Sequence, residues 1–184
     1  MTNYKVHEEL IENFEKHSSE LYQLAFLLTG NADRSLQAFT LALDLDEQMN
    51  SVFDGFMNEW ARKLIMVEAL GTIKTELRRS IVRVARTAGD ELLGSGKWNQ
   101  RQAIAKEEFE EAVIEIDAFP RCAMLLTIFE GLPLKTAAIM LDASEALTAA
   151  AQRIGILQLT RRLAGDSGRD PYQGVNPVPV LSLS

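Results

Sequence analysis

Five basic side chains between residues 74 and 86 are spaced to hold anions. Arg79, Arg83 and Arg86 recur at i, i+4 and i+7, one stripe of a helix, and Lys74 and Arg78 form an adjoining i, i+4 pair. Guanidinium and ammonium groups aligned in this way suit a row of phosphates or the carboxylates of an acidic partner. The surrounding charge makes the stripe stand out. Residues 1–50 sum to −6, residues 60–86 to +5 and residues 106–165 to −3, within a chain of net charge −7. The chain as a whole does not attract nucleic acid, so any such binding must be local. Three uses of the stripe stay open: contact with DNA or a polymerase, contact with the chain's own acidic half, and a solvated face.

Other chemistry-bearing residue types form no catalytic pattern. Cys122 is the only cysteine, which excludes an intramolecular disulfide and a cysteine-rich zinc site. It lies in an apolar run and reads as a small buried hydrophobe. His7 and His17 are ten residues apart, about 280° around a helix, and do not converge. Gly94-Ser-Gly-Lys-Trp98 contains part of a phosphate-loop pattern, but Glu91 stands where the first glycine belongs and no strand precedes it. Glu107-Glu108 and Glu110-Glu111 read as a solvated helix face. The expectation is a protein that is not an enzyme and that uses no cofactor and no metal.

Elements that would position the basic stripe follow from periodicity. The chain has 184 residues, 47% of them hydrophobic and 24% charged, the profile of a globular protein with one ordinary domain or two small ones. Proline is absent before Pro120, which permits long helices, and no alternating strand pattern appears, so the fold is expected to be all-α. Leu21, Leu24, Ala25 and Leu28 give one helix, which Gly30 can end. An earlier turn or two is suggested by Leu10, Ile11 and Phe14. A second helix follows Asn31, with Leu36, Phe39 and Leu43 inward. A third, the longest, runs from Phe53 through Val84, with a bend possible at Gly71. Residues 87–97 hold three glycines and read as a linker. Helical pattern resumes from Ile104 to Asp117, restarts at Pro120, and continues as a short helix from Leu134 to Leu141 and a final one from Ser144 to Leu163. Residues 166–184 have no helical period and read as a flexible tail. No apolar run is long enough to span a membrane, and the first residues lack a signal-peptide core, so no membrane contact and a cytoplasmic location are expected.

The segment Leu134 to Leu163 has helix–turn–helix spacing. Ala137 and Ala138 allow close packing, Asp142-Ala143 makes the turn, and Ser144 is placed to cap the second helix. A plain α-hairpin within a bundle has the same spacing.

The longer run from Phe119-Pro-Arg-Cys through Phe129-Glu-Gly-Leu-Pro to Leu141-Asp-Ala-Ser-Glu145 resembles the C-terminal domain of bacterial RNA polymerase sigma factors of the extracytoplasmic-function type. Leu21-Tyr-Gln-Leu-Ala-Phe-Leu-Leu-Thr-Gly30 resembles the first helix of that family's N-terminal domain. Ala32 to Leu43 stands where its polymerase-clamp-binding helix belongs, and Trp60-Ala-Arg-Lys-Leu64 resembles the helix that reads the downstream promoter element. The likeness covers roughly residues 18–164 in the family's order. It implies a helical domain over 1–88, a linker over 89–104 and a helix–turn–helix domain over 105–165. It also implies RNA polymerase core and promoter DNA as partners, and an anti-sigma factor as a further one. Polymerase contact would come from Asp33, Leu36, Gln37, Thr40 and Leu41. DNA contact would come from Lys74, Arg78, Arg79, Arg83 and Arg86, and from Ser144, Thr148, Gln152 and Arg153.

Departures from the family's pattern point to weakened recognition of the upstream promoter element, with the basic helix the best-kept DNA-like feature. The recognition helix carries Ala149-Ala-Ala151 where the family places basic and hydroxyl side chains. Alanine donates nothing to a base edge, and each good bidentate contact is worth roughly 1–3 kcal/mol of discrimination. The acids around Gln37 are missing. Val67 and Gly71 stand where the family has an asparagine and an aspartate. The alternative reading is therefore a sigma mimic that binds an anti-sigma factor or other protein and reads no DNA. A DNA-binding module unrelated to polymerase is a third.

Overall fold

The computed structural model describes residues 17–46, 57–87 and 104–164. Among these the fold is all-helical, with no strand. The helices are α1 (17–29), α2 (Ala32–Asp46), α3 (Met57–Thr72), α4 (Lys74–Thr87), α5 (Lys106–Ile114), α6 (Ala118–Met124), α7 (Leu134–Met140) and α8 (Glu145–Leu163). The sequence readings over residues 1–16, most of the linker and the tail lie outside the described residues.

Each boundary has a local cause. Gly30 ends α1 in the left-handed conformation, φ +66°, and its amide donates to Phe26 O at 2.7 Å. Asn31 then caps α2, its Oδ1 accepting from the Arg34 amide at 3.0 Å. The long helix expected from Phe53 to Val84 is instead two. The break falls at Ile73 rather than at Gly71, which stays helical. Thr72 turns its hydroxyl back onto Ala69 O at 2.8 Å, competing locally with the helical ladder. Asp117 caps α6 through the Ala118 amide, and Pro120 sits in the first turn, where no amide proton is needed. The chain runs from α6 into a five-residue π-helical turn, Leu125–Phe129, closed by the Glu130 amide on Leu125 O. Asp142 takes a positive φ of 54° between α7 and α8, and Ser144 Oγ accepts from the Leu147 amide at 3.2 Å. That cap and turn are as the spacing predicts.

Small residues set the closest approaches. Ala38 and Ala42 of α2 and Ala61 and Ala69 of α3 are fully buried, so these two helices pack at short range. Gly155 of α8 crosses α6, where an added β-carbon would lie 2.5 Å from Pro120 O. Ala137 and Ala138 of α7 are buried, as expected of them.

One apolar core runs through both halves of the chain. Leu21, Leu28, Ile65, Leu77 and Val84 from α1, α3 and α4 belong to the same buried cluster as Phe119, Met124, Leu126, Leu141 and Ile154. The helices on either side of the predicted linker therefore pack against each other.

Candidate functional site

The candidate site has two parts: the basic helix α4 with its seam to α6, and the outward face of α2. Leu77, Ser80 and Val84 bury one side of α4. The five basic residues lie on the other sides of the helix, but they do not form one free surface. Arg79 and Arg86 point outward. They are exposed and engage in no ion pair among the described residues. Lys74 and Arg78 turn the other way and line a groove of about 480 Å³. Its floor is Leu70, Leu77, Ile81 and Leu141, and its far wall is Ile139 and Asp142 at the end of α7.

Arg83 is committed elsewhere. Its Nε donates to Asp117 Oδ2 at 2.9 Å and its Nη2 to Oδ1, a two-pronged pair across the seam. Asp117 is shared three ways, because it also accepts the Ala118 amide and a hydrogen bond from Ser80. Burial works to raise its pKa. The Arg83 guanidinium, the Ser80 hydroxyl and the Ala118 amide outweigh that and hold the carboxyl below its ordinary value. Beside it, Ser80 Oγ accepts the Phe119 amide at 2.9 Å. So α4 grips the first turn of α6 with two side chains, Arg83 of the basic stripe and Ser80, which the sequence reading did not single out.

Two further arginines cross between the halves. Arg62 of α3 clamps Glu130 with Nε on Oε2 at 3.0 Å and Nη2 on Oε1 at 2.6 Å. The hydrogen bonds that Arg62 donates to Glu130 raise its pKa above its already high value, against desolvation. Arg121 is 4% exposed. Its Nη1 donates to the carbonyls of Ile114 (2.7 Å) and Ile116 (3.0 Å), and its Nη2 to Leu28 O at 3.3 Å. No carboxylate takes part in that set, and Nε has no partner. The same Leu28 carbonyl receives Cys122 Sγ at 3.5 Å. Burial pushes the Cys122 thiol up to about 11, so it stays protonated and packs as a small hydrophobe, as read from sequence.

In the helix–turn–helix segment the four expected contact residues divide. Ser144 is exposed, but its hydroxyl is spent as the cap of α8. Thr148 is 0% exposed, with Oγ1 on Ser144 O at 2.9 Å, and so offers no surface hydroxyl. This corrects its placement among surface contacts: the residue falls on the α8 face packed into the core. Gln152 is half-buried. Only Arg153 projects fully, with Nε–H leaning on Ala149 O.

The outward face of α2 is uniform. Asp33, Leu36, Gln37, Thr40 and Leu41 are all exposed, at i, i+3, i+4, i+7 and i+8. Leu36 is 59% and Leu41 38% accessible, two large apolar side chains left partly open on this face. The inward expectation for Leu36 is thereby corrected: Ser35, Ala38 and Ala42 take the buried positions. Trp60, at the start of α3, is 37% exposed.

Sequence reasoning missed Arg121, Arg62 and Gly155. Arg121 had a signal, as the only charged residue in the apolar run from Phe119 to Phe129. Gly155 had one too, since a mid-helix glycine costs about 1 kcal/mol against alanine and so marks a close approach. Arg62 had none, because its partner lies 68 residues away. No protein-family model, curated protein or solved structure matches the chain.

Proposed function

We propose that the chain is a sigma-factor-like regulator of transcription initiation that docks on RNA polymerase core through the outward face of α2 and contacts promoter DNA only weakly. In this reading residues 1–88 and 105–165 act as two helical units joined by residues 89–104. The observation that carries it is the exposed row Asp33, Leu36, Gln37, Thr40 and Leu41 on the helix where the resemblance expects the clamp contact. Exposed leucines bordered by polar and acidic groups match the anatomy of a docking patch, an apolar centre with a polar rim. Weak DNA reading follows from a recognition helix on which, of Thr148, Gln152 and Arg153, only Arg153 is exposed, and from Arg83 being paired with Asp117.

The test is to mix purified protein with core polymerase, then add promoter-length DNA. Core binding with template-dependent initiation is expected. Leu36→Arg combined with Leu41→Arg should abolish core binding while leaving the helical fold unchanged by circular dichroism. Core binding that survives this double substitution refutes the assignment of the α2 face.

The burial of Thr148 favours a second reading, a sigma mimic that binds an anti-sigma factor or another protein and reads no DNA. Absence of core binding, together with a defined complex with a purified anti-sigma factor, would select it.

A further inference from the structure

We propose that the groove where the end of α3, α4 and α7 meet binds a free amphiphilic monoanion, an apolar chain ending in one carboxylate, with its head on Lys74 and Arg78 and its chain on the leucine floor. This site is separate from the outward face of α2 and from the outward arginines Arg79 and Arg86.

Four features of the groove converge on that ligand class. Its volume of about 480 Å³ lies within the range of small-molecule sites, and its lining is apolar apart from Lys74, Arg78 and Asp142. Leu70, Leu77 and Leu141 are buried beneath it, while Val67 and Ile139 line it with more than half of their surface open, at 53% and 72%. Lys74 and Arg78 stand one turn apart on one wall, both exposed, and neither makes a side-chain hydrogen bond or an ion pair among the described residues. Elsewhere the fold brings carboxylates to its arginines across helices, Glu76 to Arg34 and Glu130 to Arg62. Asp142 lines the same groove, yet it pairs with neither cation. Two adjacent unpaired cations beside an apolar trough suit one carboxylate head. Asp142, on the opposite wall, repels a second negative charge and so selects a monoanion.

Gly71 is the fourth feature. It lies inside α3, lines the groove and is exposed. A β-carbon there would meet nothing within 4 Å, whereas Gly30 and Gly155 each give up a side chain to a neighbour in the fold. Glycine is the poorest helix former after proline, and neither backbone conformation nor packing among the described residues requires it at this position. The missing side chain leaves bare backbone in the groove wall, which is what glycine provides where a backbone and a ligand come close. An amphiphile seated there touches helices from both halves of the chain and, by binding the folded state, raises its stability by mass action.

The test titrates the full chain with decanoate, decanol and decyltrimethylammonium below their micelle-forming concentrations, read by calorimetry and by the thermal midpoint. Saturable one-to-one binding of decanoate with a raised midpoint is expected, with weaker binding of the alcohol and the cation. Lys74→Gln combined with Arg78→Gln should weaken decanoate about tenfold and leave decanol unchanged, because these residues hold only the head. Gly71→Leu should fill the groove and abolish binding of both. Its midpoint without ligand should stay at or above the parent's, since leucine is the better helix former and its β-carbon enters open space. Decanoate that fails to bind or to saturate overturns the site, as does binding that survives Gly71→Leu. Equal losses of decanoate and decanol in the glutamine variant overturn the placement of the head. A lowered midpoint in Gly71→Leu would show that the glycine serves the fold, and the ligand reading fails. It fails equally if Gly71→Leu splits a parental dimer in sedimentation, which assigns the groove to a second copy, or if only anionic vesicles bind and free decanoate does not.

Discussion

The Arg121 guanidinium occupies the space that a side chain at Gly30 would need: a β-carbon on residue 30 would lie 2.9 Å from Arg121 Nη1. Gly30 answers two demands at once. The end of α1 needs a left-handed residue, and the guanidinium needs the space a side chain would fill. The C-terminal half of the chain is thereby fixed to the last turn of α1.

Arg121→Ala should cost about 3 kcal/mol, because three carbonyls lose their donor in a dry seam. Urea denaturation followed by circular dichroism measures it. Arg121→Lys should recover little, since one ammonium cannot span carbonyls on α1 and on the turn after α5. A lysine variant as stable as the parent would show that charge alone is required there.

Gly155→Ala should destabilise by about 2 kcal/mol even though alanine is the better helix former by about 1 kcal/mol. The new methyl meets the Pro120 carbonyl, backbone that cannot swing aside. A lowered thermal midpoint is expected; a raised one would mean that α6 and α8 separate at no cost.

The pair Arg62 and Glu130 should show a coupling of about 1 kcal/mol in a double-mutant cycle with alanine at both positions. Most surface pairs give less, but Glu130 is only 9% accessible and both prongs of the guanidinium are used.

Acid should loosen the seam. A carboxyl whose folded pKa lies below its unfolded value contributes stability that is complete above the unfolded value, about 4, and is lost as pH falls through the folded one. Asp117 is such a group. Urea midpoints measured from neutral pH downward should therefore fall more steeply below about pH 4 in the parent than in Asp117→Asn.

How much of this was readable from residues alone depended on range. The Ser144 cap, the Asp142 turn and the ends of α1 and α7 are set by groups a few positions apart, and spacing predicts them. Ala137 and Ala138 are legible because small residues at adjacent positions in an apolar helix have few other uses. The split at Ile73 was hidden because the apolar period of α3 and α4 runs through it without a phase change. The fate of Arg83 was hidden for a different reason. Its helical position says which way it faces, and only the placement of α6, 34 residues on, says what it meets. The same holds for Thr148, whose neighbours Ala149 and Arg153 are solvent-accessible to different degrees while its own side chain is sealed. Leu36 was misassigned because the alanines of α2 pack closely enough to α3 to displace the larger residue outward.

Cys122 is the sole thiol of the chain, sealed against the Leu28 carbonyl and kept protonated by its surroundings. The protein therefore carries a built-in clock. A maleimide or disulfide reagent can mark this sulfur only during moments when the centre of the molecule is breached. The pace of labelling would report how often that occurs, while a cysteine added anywhere on the outside would accept a fluorophore first and leave the native one untouched.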